Sequence, residues 1–175
     1  MTETGTTRRS FLATALAGGA ASLAIGHGRA AAASGPITIG HQAELTGGFS
    51  SWGYWHDKAA RKAAEISNAG GGIAGRELRL VTEDTESNPA TGARKLRSLI
   101  QRNGAEFITG SVHSGIMLAS IPVATELKTV YFSTGEATEA TGEKGTRYAV
   151  RTGNDTYTLS GGGAPWAFEN LGKNW

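Results

Sequence analysis

Five short segments rich in β-branched and aromatic residues recur along the chain, and a stretch with helical spacing separates most of them from the next. The first, Ile37–Gly40, follows Pro36 and is typical of a short buried strand. We predict further strands at Glu77–Asp84, Ala105–Gly110, Val130–Ser133 and Arg147–Arg151. This alternation is the strongest constraint on the fold, because parallel strands need long crossover connections.

Helical periodicity fills the connections. Asn88 before Pro89 is a typical N-cap and first residue of a helix, and a last helix is expected from about Thr156 towards Leu171. We expect the helix before the fourth strand to be interrupted by Pro122. On the first helix, one face is formed by Ala59, Ala60, Ala63, Ala64 and Ser67. On the second helix, the residues expected to face inward are Ala93, Leu96, Leu99 and Ile100. The third helix contains Ile116, Met117, Ala119, Ser120 and Val123.

Strands separated by helices of this length imply right-handed crossovers and helices on both faces of one sheet. The predicted fold class is therefore α/β, with an open parallel sheet. The chain has no cysteine, so disulfides, thiolate metal sites and a thiol nucleophile are excluded. Stability has to come from a packed core, and residues 34–175 are enough for one lobe but not for two ordinary domains.

The amino terminus has the features of a twin-arginine export signal. Arg8 and Arg9 precede an apolar stretch, residues 12–25, that is too short and too rich in glycine and alanine to span a bilayer stably. Small residues then offer a cleavage site just before Ala33 or Ser34. We predict that residues 1–33 are a signal peptide and that the mature protein is periplasmic; the alternative is a chance arginine pair in a tail.

Removing the predicted signal changes the charge balance. Arg8, Arg9, Arg29 and Glu3 leave with it, so that the mature chain is formally neutral although the whole sequence carries a net charge of +2. A neutral chain offers no basic surface for a polyanion, which disfavours nucleic acid as a partner.

Ligands of open parallel sheets bind beyond the carboxyl ends of the strands, where loops meet helix N-termini. This rule selects four loops, at residues 45–53, 110–115, 133–137 and 153–157. Their polar and aromatic residues suit a small polar or zwitterionic molecule. They are Trp52, Ser111, His113, Ser114, Ser133, Thr134, Glu136, Asn154, Asp155, Thr156 and Tyr157.

Several motifs that suggest catalysis have plainer explanations. Gly70-x-Gly72-x-x-Gly75 matches the dinucleotide fingerprint in letters, but it lies between a helix and a strand in the wrong order, so its glycines are expected to provide positive φ angles. Glu83 and Asp84 are adjacent on a strand and point to opposite faces, so capping or solvated roles fit them better than a paired acid and base. The histidines at 41, 56 and 113 lack the spacing of metal ligands.

Three loop residues keep two interpretations each. His113 either touches a ligand or only lines the cleft. Ser114 is a nucleophile in principle, but its surroundings lack the strand-elbow pattern of hydrolases, so a hydroxyl that binds ligand is the better hypothesis. Trp52 is either a core residue or a wall of the cleft, and we favour the wall because it lies in a glycine-rich loop at the sheet edge.

In order and spacing, the mature chain resembles the amino-terminal lobe of type I periplasmic solute-binding proteins, the leucine/isoleucine/valine-binding class of ABC importers. The blocks that carry the resemblance are Leu45–Gly48 before Trp52–Gly53, Ile66–Arg76, Glu83–Asp84 with Asn88–Pro89, Gly110–Ser114, Ser133–Thr138 and Arg151–Thr152. It implies capture of a small polar solute, such as an amino acid or amide, for an ABC permease. No catalysis, cofactor or metal is implied, and the export signal implies the twin-arginine translocase as a further partner.

The resemblance also assigns roles to residues. Trp52 is expected to pack on the ligand, Ser114 to offer its hydroxyl to a ligand carboxylate, and Gly135 to contribute backbone groups. Where amino-acid binders of this class usually place a threonine, this chain has Ala137, and Glu136 is an added acid beside it. Tyr157 is a further expected contact, as is His113 if it reaches the ligand.

Members of this class close two lobes over the solute, and the second lobe should begin near residues 171–175. We therefore expect a truncated product, with residues 34–175 forming only the amino-terminal lobe. Two alternatives remain open at this point: a one-lobe sensory or partner-binding module, and an exported cofactor enzyme.

Overall fold

The computed structural model describes residues 35–172, in which a parallel sheet is interleaved with helices. The predicted export signal, with Arg8, Arg9 and the cleavage site near Ala33 and Ser34, lies outside the described residues. The strands are β1 (Ile37–Ala43), β2 (Leu78–Asp84), β3 (Phe107–Gly110), β4 (Val130–Ser133) and β5 (Ala149–Arg151). The helices are α1 (Ser50–Ala69), α2 (Pro89–Gln101), α3 (Ser114–Glu126) and α4 (Thr156–Asn170), with a 3-10 turn at Thr138–Ala140.

All four strand pairings are parallel, in the order β2-β1-β3-β4-β5, which confirms the predicted α/β class. Ile37 of β1 lies opposite Leu78 of β2, and Ile39 of β1 lies opposite Phe107 of β3. The chain passes from β1 to one side of the sheet and from β3 to the other. The loops after these two strands therefore diverge, and a crevice opens between them at the carboxyl edge.

One face of the sheet packs against α2 and α3 through apolar side chains. Leu96, Leu99, Ile108, Met117 and Tyr131 are all completely buried there. Leu96 and Leu99 were predicted to face inward, and they do, whereas Ala93 and Ile100 are half-buried. The predicted N-cap of α2 is also confirmed, since Asn88 Oδ1 accepts a hydrogen bond from the amide of Thr91 at 3.0 Å and Pro89 follows.

The opposite face packs against α1 through polar groups, and here the predicted helix face is confirmed only in part. Ala60, Ala64 and Ser67 are half-buried, but Ala59 and Ala63 are exposed, and the buried residues of α1 are Gly53 and Asp57. Asp57 Oδ1 accepts a hydrogen bond from Thr82 of β2 at 2.7 Å, and its Oδ2 accepts another from Arg61 at 2.7 Å. Burial by itself would raise the pKa of Asp57, but these hydrogen bonds outweigh it and lower the pKa. The periodicity of apolar residues does not identify these buried positions, because one is a glycine and the other is an acid.

The glycine at position 53 lets α1 begin very close to the sheet. A Cβ atom there would overlap the carbonyl of Glu44, which follows β1 directly. The helix starts at Ser50, so the loop predicted over residues 45–53 ends at Phe49, four residues earlier than expected. Trp52 consequently lies in the first turn of α1 and not in a loop.

Pro122 does not interrupt α3, which is another correction. The helix continues from Ser114 to Glu126 with Pro122 on its exposed side, where water can bond the carbonyl that loses its amide partner. Ile116, Met117, Ser120, Ile121 and Ala124 are buried along the other sides.

Helix α4 lies within a residue of its predicted bounds and has no buried residue in the described part of the chain. Tyr157, Leu159, Trp166 and Leu171 are between 45% and 77% exposed. Among residues 35–172, no helix is long and apolar enough to cross a membrane. The turn between α1 and β2 has positive φ angles at Gly72 and Gly75, as expected, whereas Gly70 has an ordinary negative φ.

Candidate functional site

A cleft of about 310 Å³ opens at the crevice between the loops that follow β1 and β3. We call it the edge cleft; its lining residues are Phe49, Trp52, Val112, Thr134 and Glu136. They come from three separate connections of the chain. The edge cleft is therefore assembled by the sheet, at the place where parallel α/β sheets bind ligands.

The aromatic wall of the edge cleft is Phe49 with Trp52. Phe49 directly precedes α1 and Trp52 lies in its first turn, so that residues three apart share one side of the helix. The loop before them is held by Asp84, whose Oδ1 accepts hydrogen bonds from the amides of Leu45 at 3.0 Å and Thr46 at 3.2 Å. The Phe49 amide in turn donates to Ser87 Oγ at 3.0 Å. Trp52 is thus a wall of the cleft and not core.

These contacts give Asp84 a structural role. Partial burial would raise its pKa, but hydrogen bonds from the amide of Glu86 and from Thr46 lower it below the ordinary value. Glu83, the preceding residue, forms an ion pair with Lys95 Nζ at 2.7 Å on the other side of the strand. The two carboxylates therefore serve different parts of the fold, as their alternation on a strand predicted.

Below the edge cleft lies a buried polar floor centred on Ser111. Its Oγ donates a hydrogen bond to Glu44 Oε1, and its amide donates to Tyr131 Oη at 3.3 Å. Its carbonyl accepts a hydrogen bond from Ser133 Oγ at 2.9 Å. Burial raises the pKa of Tyr131 to about 12, so this hydroxyl stays protonated. Gly110, at φ +94°, allows the chain to pass Gln42, where a Cβ would overlap the carbonyl oxygen.

His113 caps α3 in the described structure. Its Nδ1 accepts a hydrogen bond from the amide of Gly115 at 2.9 Å, and its ring packs on Phe49 with the centroids 4.6 Å apart. It does not line the edge cleft, although it supports a residue that does.

Ser114 and Glu136 connect the second and third loops. The amide of Glu136 donates to Ser114 Oγ at 3.0 Å, and its carbonyl accepts a hydrogen bond from the amide of Thr156 at 2.8 Å. Gly135 is buried against α3, since a Cβ there would lie 3.0 Å from Met117 Cβ and 3.2 Å from Ser114 Cα. Glu136 is consequently held by its backbone while its carboxylate remains exposed.

The fourth predicted loop lies beside the cleft and does not line it. Asp155 caps α4, and a hydrogen bond from Thr158 with the nearby Arg151 lowers its pKa. Tyr157 is 77% exposed, and only its amide is engaged, by Thr138 Oγ1 at 3.1 Å.

Phe49 and Val112 line the cleft but were not singled out as site residues. Phe49 could have been found, because aromatic residues three apart at the start of a helix point to the same side. Val112 carries no such signal, and its position follows from the loop after β3. No group of three or more potential metal ligands occurs among residues 35–172.

A larger groove of about 510 Å³ runs along α2 and α3, away from the strand ends. Its basic side chains include Lys95 and Arg97, which are ion-paired with Glu83 and Glu126. We regard the smaller edge cleft as the candidate site, because several loops converge there and exposed aromatic and acidic groups line it.

A doubly covered parallel sheet with a ligand-sized cleft at its switch point defines one lobe of an α/β binding protein. The family model described as periplasmic binding protein matches residues 36–175. The chain therefore belongs to the periplasmic binding protein family, and its resemblance to the amino-terminal lobe of the type I class is confirmed.

Solved structures agree with this assignment. A periplasmic binding protein from Burkholderia mallei has a TM-score of 0.72 and 27% identity over 80% of this chain and 37% of its own. A solute-binding protein of an ABC transporter from Rhodopseudomonas palustris BisB5, in complex with 3,4-dihydroxybenzoic acid, has a TM-score of 0.68 and 26% identity over 77% and 36%. The fold is also shared by the Streptococcus pneumoniae protein LivJ in complex with isoleucine, with a TM-score of 0.69 and 23% identity over 78% and 39%.

A curated relative extends the comparison to signalling. The chemotactic signal transduction system substrate-binding protein BasB of Halobacterium salinarum is 34% identical over 86 residues, which are 48% of this chain and 21% of that protein. This chain thus spans about a fifth of BasB and less than two fifths of each of the three solved structures described above.

Proposed function

We propose that this chain is the amino-terminal lobe of an extracytoplasmic substrate-binding protein, which captures a small polar organic solute, such as an amino acid or amide, for an ABC permease. The observation that carries the proposal is the edge cleft, in which Phe49, Trp52 and Glu136 converge on the crevice of the sheet. The relatives' bound isoleucine and 3,4-dihydroxybenzoic acid support a small organic solute. The role is binding without catalysis.

Within this proposal, Trp52 packs on the solute and Ser114 donates its free hydroxyl proton to it. Gly135 lets the third loop approach α3, and His113 holds Phe49 in place. Tyr157 would contact the solute only from the rim, because its side chain projects from the start of α4.

Isothermal titration calorimetry with isoleucine, an aliphatic amide and 3,4-dihydroxybenzoate tests the proposal. Saturable binding is expected for at least one solute, and Trp52→Ala should weaken it about tenfold or more. The matched control is Trp55→Ala, which removes a Trp of almost equal exposure, 67% against 69%, on the same helix but outside the cleft. Absence of binding by every solute, or equal losses in both variants, would contradict the proposal.

We further propose that α4 packs against a second lobe. Its exposed Tyr157, Leu159 and Trp166, with Leu171 directly after the helix, form an apolar surface of the kind that marks an interface. When the second lobe of a two-lobed relative is added, the backbone amides of α4 should exchange hydrogen more slowly. The exchange rates of α3 amides should change little. Unchanged exchange in α4 would argue against this interface.

Export by the twin-arginine translocase is part of the same proposal and rests on Arg8 and Arg9 before the apolar stretch. Replacing both with lysine should retain the precursor in the cytoplasm, whereas Arg29→Lys, close to the predicted cleavage site, should not. Export of the double-lysine variant at the normal rate would contradict a twin-arginine route.

A sensory role is the second candidate, favoured by the chemotactic name of the relative from Halobacterium salinarum. In that case the partner is a signalling receptor and not a permease. Crosslinking in the native host from Ile73→Cys, an exposed position outside α4, would distinguish the two, because it identifies which membrane protein lies against this lobe.

A further inference from the structure

The charge of the edge cleft is one-sided. Glu136 is the one ionisable residue that lines it in the described part of the chain, and its carboxylate has no ion-pair partner among residues 35–172. The nearby Arg151 is already paired with Asp155 at 3.0 Å and donates to the carbonyl of Ala137. A second carboxylate, Glu44, is buried directly under Val112. A ligand in this cleft therefore meets negative charge.

Three of the amides that could offset this charge are already used. At the start of α3, the Val112 amide donates to Glu44 Oε2 at 3.4 Å and the His113 amide donates to Ser111 Oγ at 3.0 Å. The Gly115 amide donates to the His113 ring at 2.9 Å. A helix N-terminus usually attracts anions through such free amides, but these three bond acceptors within the chain. The amide and the hydroxyl proton of Ser114 remain for a ligand carboxylate, which would lie opposite an exposed glutamate.

The aromatic wall favours a cation for a separate reason. Phe49 is 41% exposed and Trp52 is 69% exposed, so both rings are accessible on the cleft side of α1. An aromatic face carries a negative quadrupole and attracts ammonium groups, most strongly when the ring is that of tryptophan. Contact with His113 fixes the Phe49 ring, and the Asp84 and Ser87 hydrogen bonds fix its backbone. The aromatic surface that attracts cations is therefore preformed.

We propose that the edge cleft selects small organic cations, with Glu136 as the counter-ion and Trp52 and Phe49 as the aromatic wall around an ammonium group. This rests on the proposed function, since it names the solute class of the same site. It departs from the role that the resemblance assigns to Ser114, the binding of a ligand carboxylate. The cleft volume of about 310 Å³ is at the lower end of the range for small-molecule sites, which limits the solute to a small amine or quaternary ammonium compound.

Three probes of matched shape test the sign of the preferred charge on the full 175-residue chain: choline, its neutral isostere 3,3-dimethylbutan-1-ol and the anion 3,3-dimethylbutyrate. Isoleucine serves as a zwitterionic reference. In titration calorimetry, choline should bind about tenfold or more tightly than the neutral isostere, and the anion should bind most weakly.

Two pairs of variants assign the effect to the cleft. Glu136→Gln should weaken choline binding about tenfold and leave the neutral probe unchanged, while Glu139→Gln, another exposed glutamate three residues away, should change neither. Trp52→Leu should weaken choline binding, and Trp55→Leu should not.

The outcomes separate this inference from the proposed function. Binding of isoleucine or the anion without binding of choline would overturn the preference for cations and keep the role in solute capture. Choline binding that survives Glu136→Gln would overturn the assignment of the counter-ion. Failure of all four probes and of the solutes tested above would overturn both proposals.

Discussion

Helices α3 and α4 share an apolar character but have opposite surroundings. Both are apolar around most of their circumference and both contain an internal proline, Pro122 or Pro165. Yet α3 buries five residues against the sheet and α2, whereas α4 buries none in the described part of the chain. A helix that is apolar all round needs cover on every side. The comparison teaches that α4 has the sequence of a buried helix without the partner that would bury it.

The largest effect is expected from removing matched aliphatic side chains in the two helices. Ile116→Ala in α3 deletes a completely buried side chain and should lower the free energy of unfolding by about 2–5 kcal/mol. Leu159→Ala in α4, at a position 45% exposed, should change it by less than about 0.5 kcal/mol. Urea denaturation measures both. Equal losses would mean that α4 is covered in solution and would break the comparison.

Acid is expected to act on the buried part of the fold and not on α4. His41 of β1 is 1% exposed, and its ring packs against that of His56 with the centroids 5.4 Å apart. Burial, and then the charge of His56, lower the pKa of His41 from 6.5 to about 4. The unfolded chain takes up this proton at a higher pH than the folded one, so stability present above pH 6.5 is lost as the pH falls towards 4, by up to about 3 kcal/mol.

Urea denaturation at pH 7 and pH 4.5 tests this for the original chain and for His41→Leu. The variant should lose much less stability on acidification, because its buried side chain cannot be protonated. Leu159→Ala in α4 is the matched control and should keep the full dependence on pH. The prediction fails if His41→Leu and the original chain respond to acid alike.

The smallest expected effects come from two glycine-to-alanine substitutions, which should change stability in opposite directions in α2 and in α4. A Cβ on Gly92 of α2 would lie 2.6 Å from Ile116 Cγ2, so Gly92→Ala should force the helices apart and cost about 1–3 kcal/mol. Gly161 in α4 has no atom within 4 Å of such a Cβ, and Gly161→Ala should stabilise the helix by up to about 1 kcal/mol. Thermal unfolding with circular dichroism distinguishes the signs. Destabilisation by Gly161→Ala would reveal a neighbour of α4.

The positions of the strands and helices could be predicted from the sequence. Which helix residues are buried could not, where burial depends on the segment packed against them. The five strands, the cap at Asn88 and the edge that carries the candidate site all follow from local composition and from the rule for parallel sheets. The two most buried positions of α1 did not follow, because Gly53 and Asp57 are buried for their contacts with Glu44 and Thr82 and not for hydrophobicity. Pro122 was expected to break α3, but it lies on the exposed side of that helix.

The candidate site shows the same division. Trp52 and Glu136 could be predicted as loop-edge residues, yet their joint presence in one cleft depends on the divergence of the loops after β1 and β3. That the Val112 amide, just before α3, donates to Glu44 could not be predicted, because this bond joins residues 68 positions apart.

The alternation of strand and helix patterns by itself determined the α/β class, since only crossover connections suit strands spaced in this way. The tertiary structure alone decided which surfaces are covered and which charges remain unpaired. The spacing of residues along a helix shows that it has an apolar surface, but the free energy of that surface depends on what is packed against it. For this reason α3 and α4, which share an apolar character, differ in burial.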